Sequence, residues 1–491
     1  TMDHDNAHLQ THMSSDEFRT LGRQFLDWVV NYLDDAEDIS LKQEVIPGDV
    51  RAALPESPPV SGEKLENVIA DLDSTIVPGL THWQSPHWFA YFPCNHSYPS
   101  ILGELISAGI GIQGMLWATS PACTEVESLM MDWMLEALGL PDRFRTAPRD
   151  NPRGQCKGGG VIQDTASSAT LCALLAARDR VTDGLAGREG MGSCPQLVAY
   201  TSEHAHSSVE KSCAIAGIGR QNLRLIKTDD EFRMCPDALA RAIEEDIAAG
   251  RVPFFVCVTA GTTASGAIDP TNAIADVCEP HDIWIHLDGA MYGIAALAPE
   301  YRWVFDGAER CDSICANPHK WMFTNFDCDL FWVADRSALT RALGIMPEYL
   351  RNQPSETGQV IDYRDWQVPL GRRFRALKLW FVLRHYGIEG LQALIREHVA
   401  MAQECADMVD ADEHLERVCP TPLSIVTLAH VKGDEATESI MHAINDSGKA
   451  RLSHARVGDR YVIRIAIGQS RSTLEHVHQL MKLLSSAARE V

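Results

Sequence analysis

Apolar residues at helical spacing open the chain. Phe18, Leu21, Phe25, Trp28, Val29, Tyr32 and Leu33 recur through residues 14–36 and predict an amphipathic helix. A proline-containing stretch, 47–59, separates it from a second helical pattern at 65–76, which runs up to Pro78. Residues 13–97 therefore read as a helical arm with much apolar surface and little core of its own, an element suited to packing on another subunit. From 98 to 390 the pattern changes. Helical stretches alternate with short β-rich runs at 197–201, 223–226, 254–259 and 283–287, which predicts a large α/β domain around a mainly parallel sheet. Residues 391–491 carry a helical pattern at 391–409, strand-like runs at 423–428 and 461–467, and a last helix starting near Ser472, the makings of a small α+β domain. No internal repeat or low-complexity segment is present.

Composition narrows the possibilities. With 491 residues, 45% of them hydrophobic, the chain can bury a large core, and the absence of any run of eighteen apolar residues argues against a membrane span. Residues 1–12, with His4, His8 and His12, read as a polar leader or tag remnant, and no secretory signal is recognisable. A formal charge of -24 argues against nucleic acid and anionic membrane surfaces as partners. The 14 cysteines are scattered without a Cys-x-x-Cys, so buried reduced thiols in a cytoplasmic enzyme are expected, with no disulfide framework and no metal site.

The chemistry centres on Asn317-Pro318-His319-Lys320-Trp321, which follows the apolar run Ser313-Ile314-Cys315-Ala316. A lysine in a dry pocket loses its proton more easily and attacks carbonyls. Asp288 closes the apolar run ending Ile285-His286-Leu287, the place where parallel sheets bind ligands, although a turn aspartate before Gly289 has the same local signature. Lysine and buried aspartate together are what pyridoxal phosphate requires: an amine for its aldehyde and a carboxylate for its pyridine nitrogen. Gly158-Gly159-Gly160 precedes Thr165-Ala166-Ser167-Ser168 and a helical pattern at 169–178. Hydroxyls and free N–H groups at a helix start suit a phosphate, or serve as a simple cap. His206, after the run at 197–201, could stack on a planar ring, and Thr263, after 254–259, could place a hydroxyl beside it.

Longer motifs point to a family. His82-Trp83, Phe89-Ala90-Tyr91-Phe92-Pro93, Ser120-Pro121-Ala122-Cys123-Thr124-Glu125, Met130-Met131-Asp132-Trp133, the Lys320 motif and Pro369-Leu370-Gly371-Arg372-Arg373-Phe374-Arg375 occur in order. In them the chain resembles the aromatic L-amino-acid decarboxylase family of group II pyridoxal-phosphate enzymes, from about residue 13 to the last helix. The resemblance implies an aspartate-aminotransferase-like fold (fold type I) in a homodimer with active sites at the interface. It makes Lys320 the lysine that binds the cofactor aldehyde, Asp288 the partner of the ring nitrogen and His206 the stacking residue. Thr165, Ala166 and Ser167 correspond to the phosphate turn, Asn317 and His319 to its helpers, and Thr263 to the threonine beside the ring. Tyr349, in Pro347-Glu348-Tyr349-Leu350-Arg351, corresponds to the loop tyrosine that returns a proton to the substrate.

For the substrate, Trp83, Tyr91, Phe92 and Pro93 suit an aromatic side chain, His319 is counted with them as a substrate contact, and Gly371 matches the glycine of aromatic decarboxylases rather than the serine of histidine-selective relatives. Cys94, Gln113 and Met115 depart from the animal pattern of threonine, isoleucine and phenylalanine, and by resemblance the last two reach in from the other subunit. A flexible Met115 in place of a stiff ring makes room for an indole. The expected reaction is decarboxylation of tryptophan, 5-hydroxytryptophan, DOPA, tyrosine or phenylalanine to the amine and CO2. The alternatives are an aromatic aldehyde synthase, a histidine decarboxylase, or a silent relative that binds cofactor only to stabilise a dimer. Retention of Tyr349 and His206 favours the decarboxylase.

Overall fold

The computed structural model describes residues 12–42, 44–345 and 360–491. Seven strands form the main sheet: β1 (Gly159–Gln163), β2 (Leu197–Ser202), β3 (Leu223–Ile226), β4 (Val252–Thr259), β5 (Trp284–Gly289), β6 (Ser313–Ala316) and β7 (Asp329–Val333). Their order is β1-β7-β6-β5-β4-β2-β3. From β3 to β6 every pairing is parallel, whereas β7 runs antiparallel to both β6 and β1. Helices cover both faces, so the central strands read as continuous apolar runs rather than alternating ones. That is why β2, β3, β4 and β5 are visible in the sequence to within two residues at each end.

The outer strands hid for a physical reason. Gly158-Gly159-Gly160 looks like loop punctuation, yet Gly159 and Gly160 are the first residues of β1, and the helix after it starts at Ala166 rather than 169. A Cβ on Gly160 would come within 2.5 Å of Met131 and 2.7 Å of Trp332, and one on Gly159 within 2.7 Å of Trp366. These glycines are small because large side chains pack against the strand, and they form no part of a phosphate loop.

A second sheet, wholly antiparallel, is ordered β10-β11-β9-β8: β8 (Leu415–Arg417), β9 (Ile425–His430), β10 (Ser453–Val457) and β11 (Arg460–Ala466). Helices Asp434–Ser447 and Leu474–Glu490 pack on it around Val426, Leu428, Ile440, Ile463 and Leu480. The helical pattern at 391–409 is the second half of a longer helix, Arg375–Asp410, broken at Gly387, whose φ of 63° only glycine adopts cheaply. The chain thus crosses residue 391 inside a helix.

The arm opens with helix Ser15–Asp35, capped by Ser14 and Glu17 in a reciprocal capping box. The pattern at 65–76 is α-helical only over Leu65–Asp71 and continues as a π turn, Leu72–Ile76. Residues 87–89 are stitched to the small sheet: Phe89 N–H donates to Arg451 O, Arg451 N–H to His87 O and Ala466 N–H to Phe89 O. All 14 cysteines are free and most are buried. Among the described residues no helix is long and apolar enough to cross a membrane.

A buried ion pair ties these parts to β1. Arg372 Nη2 lies 2.6 Å from Glu127 Oε1, with both side chains at most 1% exposed. The same Oε1 accepts from Ile162 N–H at 2.8 Å, and the guanidinium sits 4.7 Å from the Tyr363 ring. Replacing Glu127 by alanine leaves a buried cation alone and an edge-strand N–H without its acceptor. We expect a loss of about 3–5 kcal/mol in urea unfolding. Arg372→Ala should add far less in that background than in the wild type. Simple additivity would show that the two are not coupled.

Candidate active site

The end of β6 builds the site. Asn317 caps a single helical turn, Pro318–Trp321, with Pro318 at its first position, where a missing N–H costs nothing. Lys320 is the third residue of that turn, and its N–H donates to Asn317 O at 3.0 Å. Its carbonyl accepts from Asn95 Nδ2 at 2.6 Å, and the same nitrogen lies 2.6 Å from Gly468 O. Asn95 N–H donates in turn to His319 O. One asparagine of the arm thus pins the lysine turn to the segment after β11. Trp321 is anchored below by Nε1 donating to His398 Nδ1 at 3.0 Å.

A cleft of about 210 Å³ opens over Lys320. Thr165, Ala166, Ser167, His206, Thr263, Asp288, Asn317 and His319 line it together with Lys320. These residues come from β1, β2, β4, β5 and β6 or the turns just after them, at the carboxyl ends of the parallel strands. Larger hollows of about 580 and 460 Å³ lie elsewhere and contain none of them. Thr259, Gly261, Ala290, Met291 and Phe326 also line the cleft and were not singled out from the sequence. Ala290 and Met291 could have been found as the two residues after Asp288-Gly289. Phe326 had no local signal and arrives by a chain reversal after Lys320.

Burial lowers the proton affinity of the Lys320 amine. Asp288 opposes this, and the guanidinium of Arg464 adds to it. Asp288 is buried, and its Oδ1 accepts from Ala290 N–H at 3.0 Å and lies 3.6 Å from the Cys315 thiol. His206 Nδ1 accepts from Ser208 N–H at 3.1 Å, which leaves the ring proton on Nε2, and burial keeps the ring neutral against the pull of Asp288. His319 Nδ1 accepts from Cys328 N–H at 3.0 Å, so its proton is on Nε2, 3.3 Å from the Asn317 amide. An N–H there calls for the amide oxygen as acceptor. The NH2 end of Asn317 then takes the other position, which has no partner among the described residues.

That free amide end, the start of helix Ala166–Thr182 with Thr165 as its cap, and the hydroxyls of Thr165 and Ser167 form a donor-rich seat for an anion. A buried carboxylate, a neutral imidazole and a lysine with lowered proton affinity sit together beside it. This set fits a phosphorylated pyridine aldehyde.

The comparisons agree. Residues 47–428 match the pyridoxal-dependent decarboxylase conserved domain. The chain belongs to the pyridoxal-dependent decarboxylases. It is 42% identical to tyrosine decarboxylase 2 of Narcissus pseudonarcissus, over 97% of this chain and 95% of that one. It is 41% identical to the phenylacetaldehyde synthase of Arabidopsis thaliana, over 97% and 96%. The crystal structure of Oryza sativa TDC with PLP and tryptamine superposes with a TM-score of 0.92 at 38% identity, covering 97% of this chain and 99% of that one. The fold is therefore that of fold type I enzymes, the cofactor is pyridoxal phosphate and the activity is that of a carboxy-lyase.

The candidates for substrate contact lie further out. Trp83, Trp88 and Tyr91 form a mutual ring cluster, with the Trp83 centroid 4.6 Å from Trp88 and 5.5 Å from Tyr91, and Phe92 meets Trp321 edge-on at 5.9 Å. Cys94, two residues beyond Phe92 across Pro93, is close enough to Lys320 to feel its charge, while burial raises its thiol pKa. Gln113 Oε1 accepts from Arg372 N–H at 2.5 Å, and a Cβ on the neighbouring Gly371 would come 3.3 Å from Gln113 Nε2. Met115 O accepts from Arg364 N–H. None of Trp83, Tyr91, Phe92, Pro93, Cys94, Gln113, Met115 and Gly371 lines the cleft within one chain. Tyr349 lies outside the described residues.

Burial pushes the His319 pKa down to about 3, with the Lys320 charge adding to the effect. Its ring resonances should therefore hold their neutral positions between about pH 8 and about pH 5 in an NMR titration of the apoenzyme. A midpoint near the ordinary histidine value would mean that His319 is not enclosed and that Asn317 is not held by an Nε2–H donor.

Proposed function

We propose that this enzyme decarboxylates an aromatic L-amino acid, tryptophan or a hydroxylated aromatic acid, to the corresponding arylalkylamine and CO2. The observation that carries the reading is the convergence of Lys320, Asp288 and His206 in one cleft, with Phe92 packed edge-on against Trp321 of the lysine turn. The relatives named for tyrosine, tryptophan and aromatic L-amino acids support the substrate class.

Pyridoxal phosphate, when bound, supplies an aldehyde for an amine and a ring that takes up the electrons left behind as CO2 departs. Lys320 would hold the cofactor aldehyde, and its lowered proton affinity would ease exchange with a substrate amine. Asp288 would support the positive charge of the ring nitrogen. His206 would pack on the ring as a neutral imidazole. Thr165, Ser167 and Asn317 would hold the phosphate. Thr263 would contribute a hydroxyl near the ring, and His319 would orient Asn317 while bordering the substrate. Tyr349 delivers the proton to the substrate Cα after CO2 is lost.

A homodimer fits the exposed apolar positions of the arm and the next helix, Tyr98–Ile110, where Phe18, Leu26, Val30, Leu102, Leu105, Ile106 and Ile110 are all solvent-facing in the single chain. Such a dimer lets Gln113 and Met115 reach the partner's cleft. Free thiols throughout the chain fit a cytoplasmic enzyme of amine biosynthesis.

The deciding experiment is a product assay of cofactor-loaded protein with a panel of amino acids, following amine, CO2 and peroxide together. We expect amine and CO2 in equal amounts from an aromatic acid and no peroxide. CO2 released only from glutamate or histidine would refute the substrate class. Aldehyde with peroxide would make the enzyme an aldehyde synthase, the reading suggested by the Arabidopsis relative.

Tyr349→Phe separates the two chemistries. Amine formation should fall by about 10²-fold or more, with aldehyde and peroxide taking its place. An unchanged amine yield would show that another group protonates Cα.

A further inference from the structure

Asp329 is the first residue of β7 and is fully buried, and neither of its carboxylate oxygens has a hydrogen-bond partner among the described residues. Its cross-strand neighbour on β1 is Gln163. The pairing of Leu330 with Ala316 sets it opposite Asn317 on the other side, on the face it shares with Phe331 and Cys315. Side chains opposite each other on one face of a sheet have Cβ atoms about 5 Å apart, within reach of a hydrogen bond. Gln163 is already committed, donating to Trp366 O at 2.7 Å. Asn317 is not, because one end of its amide is free. An unpaired anion at this depth is untenable, and the surroundings are already acidic. Asp164 follows β1, Asp288 is on β5, and the thiols of Cys172 and Cys315 face the same space. Lys320 is the cation set against them.

We propose that Asp329 is a positioning residue for the Asn317 side of the phosphate seat: it stays a neutral carboxylic acid, and its carbonyl oxygen accepts from the free Asn317 amide. His319 Nε2–H, the Asn317 amide and the Asp329 acid then form one chain of donors and acceptors that fixes Asn317 in the wall of the cleft. Burial, reinforced by Asp288 and Asp164, raises the Asp329 pKa well above the carboxylate range, and only Lys320 pulls the other way. The sign for binding follows. As pH rises through the folded-state value, Asp329 becomes an anion beside a dianion, and cofactor affinity falls.

The inference rests on the phosphate seat described above, so the test separates the two. Cofactor affinity is measured by fluorescence as a function of pH for the wild type, Asp329→Asn, Asp329→Leu and Asn317→Ala. Infrared difference spectra of wild type against Asp329→Asn are recorded on the holoenzyme. We expect the carbonyl stretch of a neutral carboxylic acid in the wild type, absent from the asparagine variant. Asp329→Asn, which still offers donor and acceptor but cannot ionise, should bind like the wild type at neutral pH and keep its affinity at alkaline pH where the wild type loses it. Asp329→Leu should bind about tenfold more weakly at every pH, the loss expected for one buried hydrogen bond. A carboxylate band in the wild type, or the same alkaline loss in the asparagine variant, would overturn the inference. Wild-type affinity in Asn317→Ala would instead overturn the seat itself.

Discussion

A lysine amine enclosed beside a buried aspartate is the constraint on which the rest of this structure depends. Water would stabilise both charges, and the fold removes it. What replaces it is a set of fixed dipoles and hydrogen bonds at the carboxyl ends of β4, β5 and β6. Asp288 is steadied by the Ala290 amide, and Lys320 is steadied through its backbone rather than its amine. Among the described residues the amine has no hydrogen-bond partner, which suits a nucleophile kept ready to react with a carbonyl.

Holding the lysine turn takes all three parts of the chain. Asn95 from the arm joins Lys320 and His319 of the large domain to Gly468 beyond the small sheet. Residues 87–89 extend the small sheet through Phe89, Arg451 and Ala466, and Arg464 from β11 donates to the carbonyl of Tyr91. The small sheet therefore works as a brace. It holds Phe92 against Trp321, so the aromatic segment and the Lys320 turn share one rigid support.

Electrostatics divides the site into two kinds of group. His206, His286, His319 and Lys378 all have their proton affinity lowered by burial, and each is tied to nearby backbone or side-chain partners. Neutral imidazoles can stack or orient a neighbour without adding charge to a pocket built for an anion. The carboxyl groups respond in the opposite direction: Glu127 and Asp329 are both raised by burial, but only Glu127 has an arginine to offset it.

The local sequence determined a good deal. Continuous apolar runs marked β2 to β5 because strands buried on both faces need them, and Asn317-Pro318-His319-Lys320 announced a capped turn after a buried run. His206, Thr165 and Thr263 were legible only as hydroxyls and a ring just after such strands, and they became a site once Lys320 and Asp288 were read with them. Other features were decided by tertiary structure alone. β1 and β7 escaped because glycine and aspartate are poor strand formers until Trp332, Met131 and Trp366 pack against them. Phe326 and Asp329 reach the cleft region only because the chain reverses after Lys320. Gln113 and Gly371 touch across more than two hundred residues of sequence. A residue's period along the chain reports which face it shares with its neighbours. Which distant side chain meets it there depends on how the layers close, and that is written in no local stretch of the sequence.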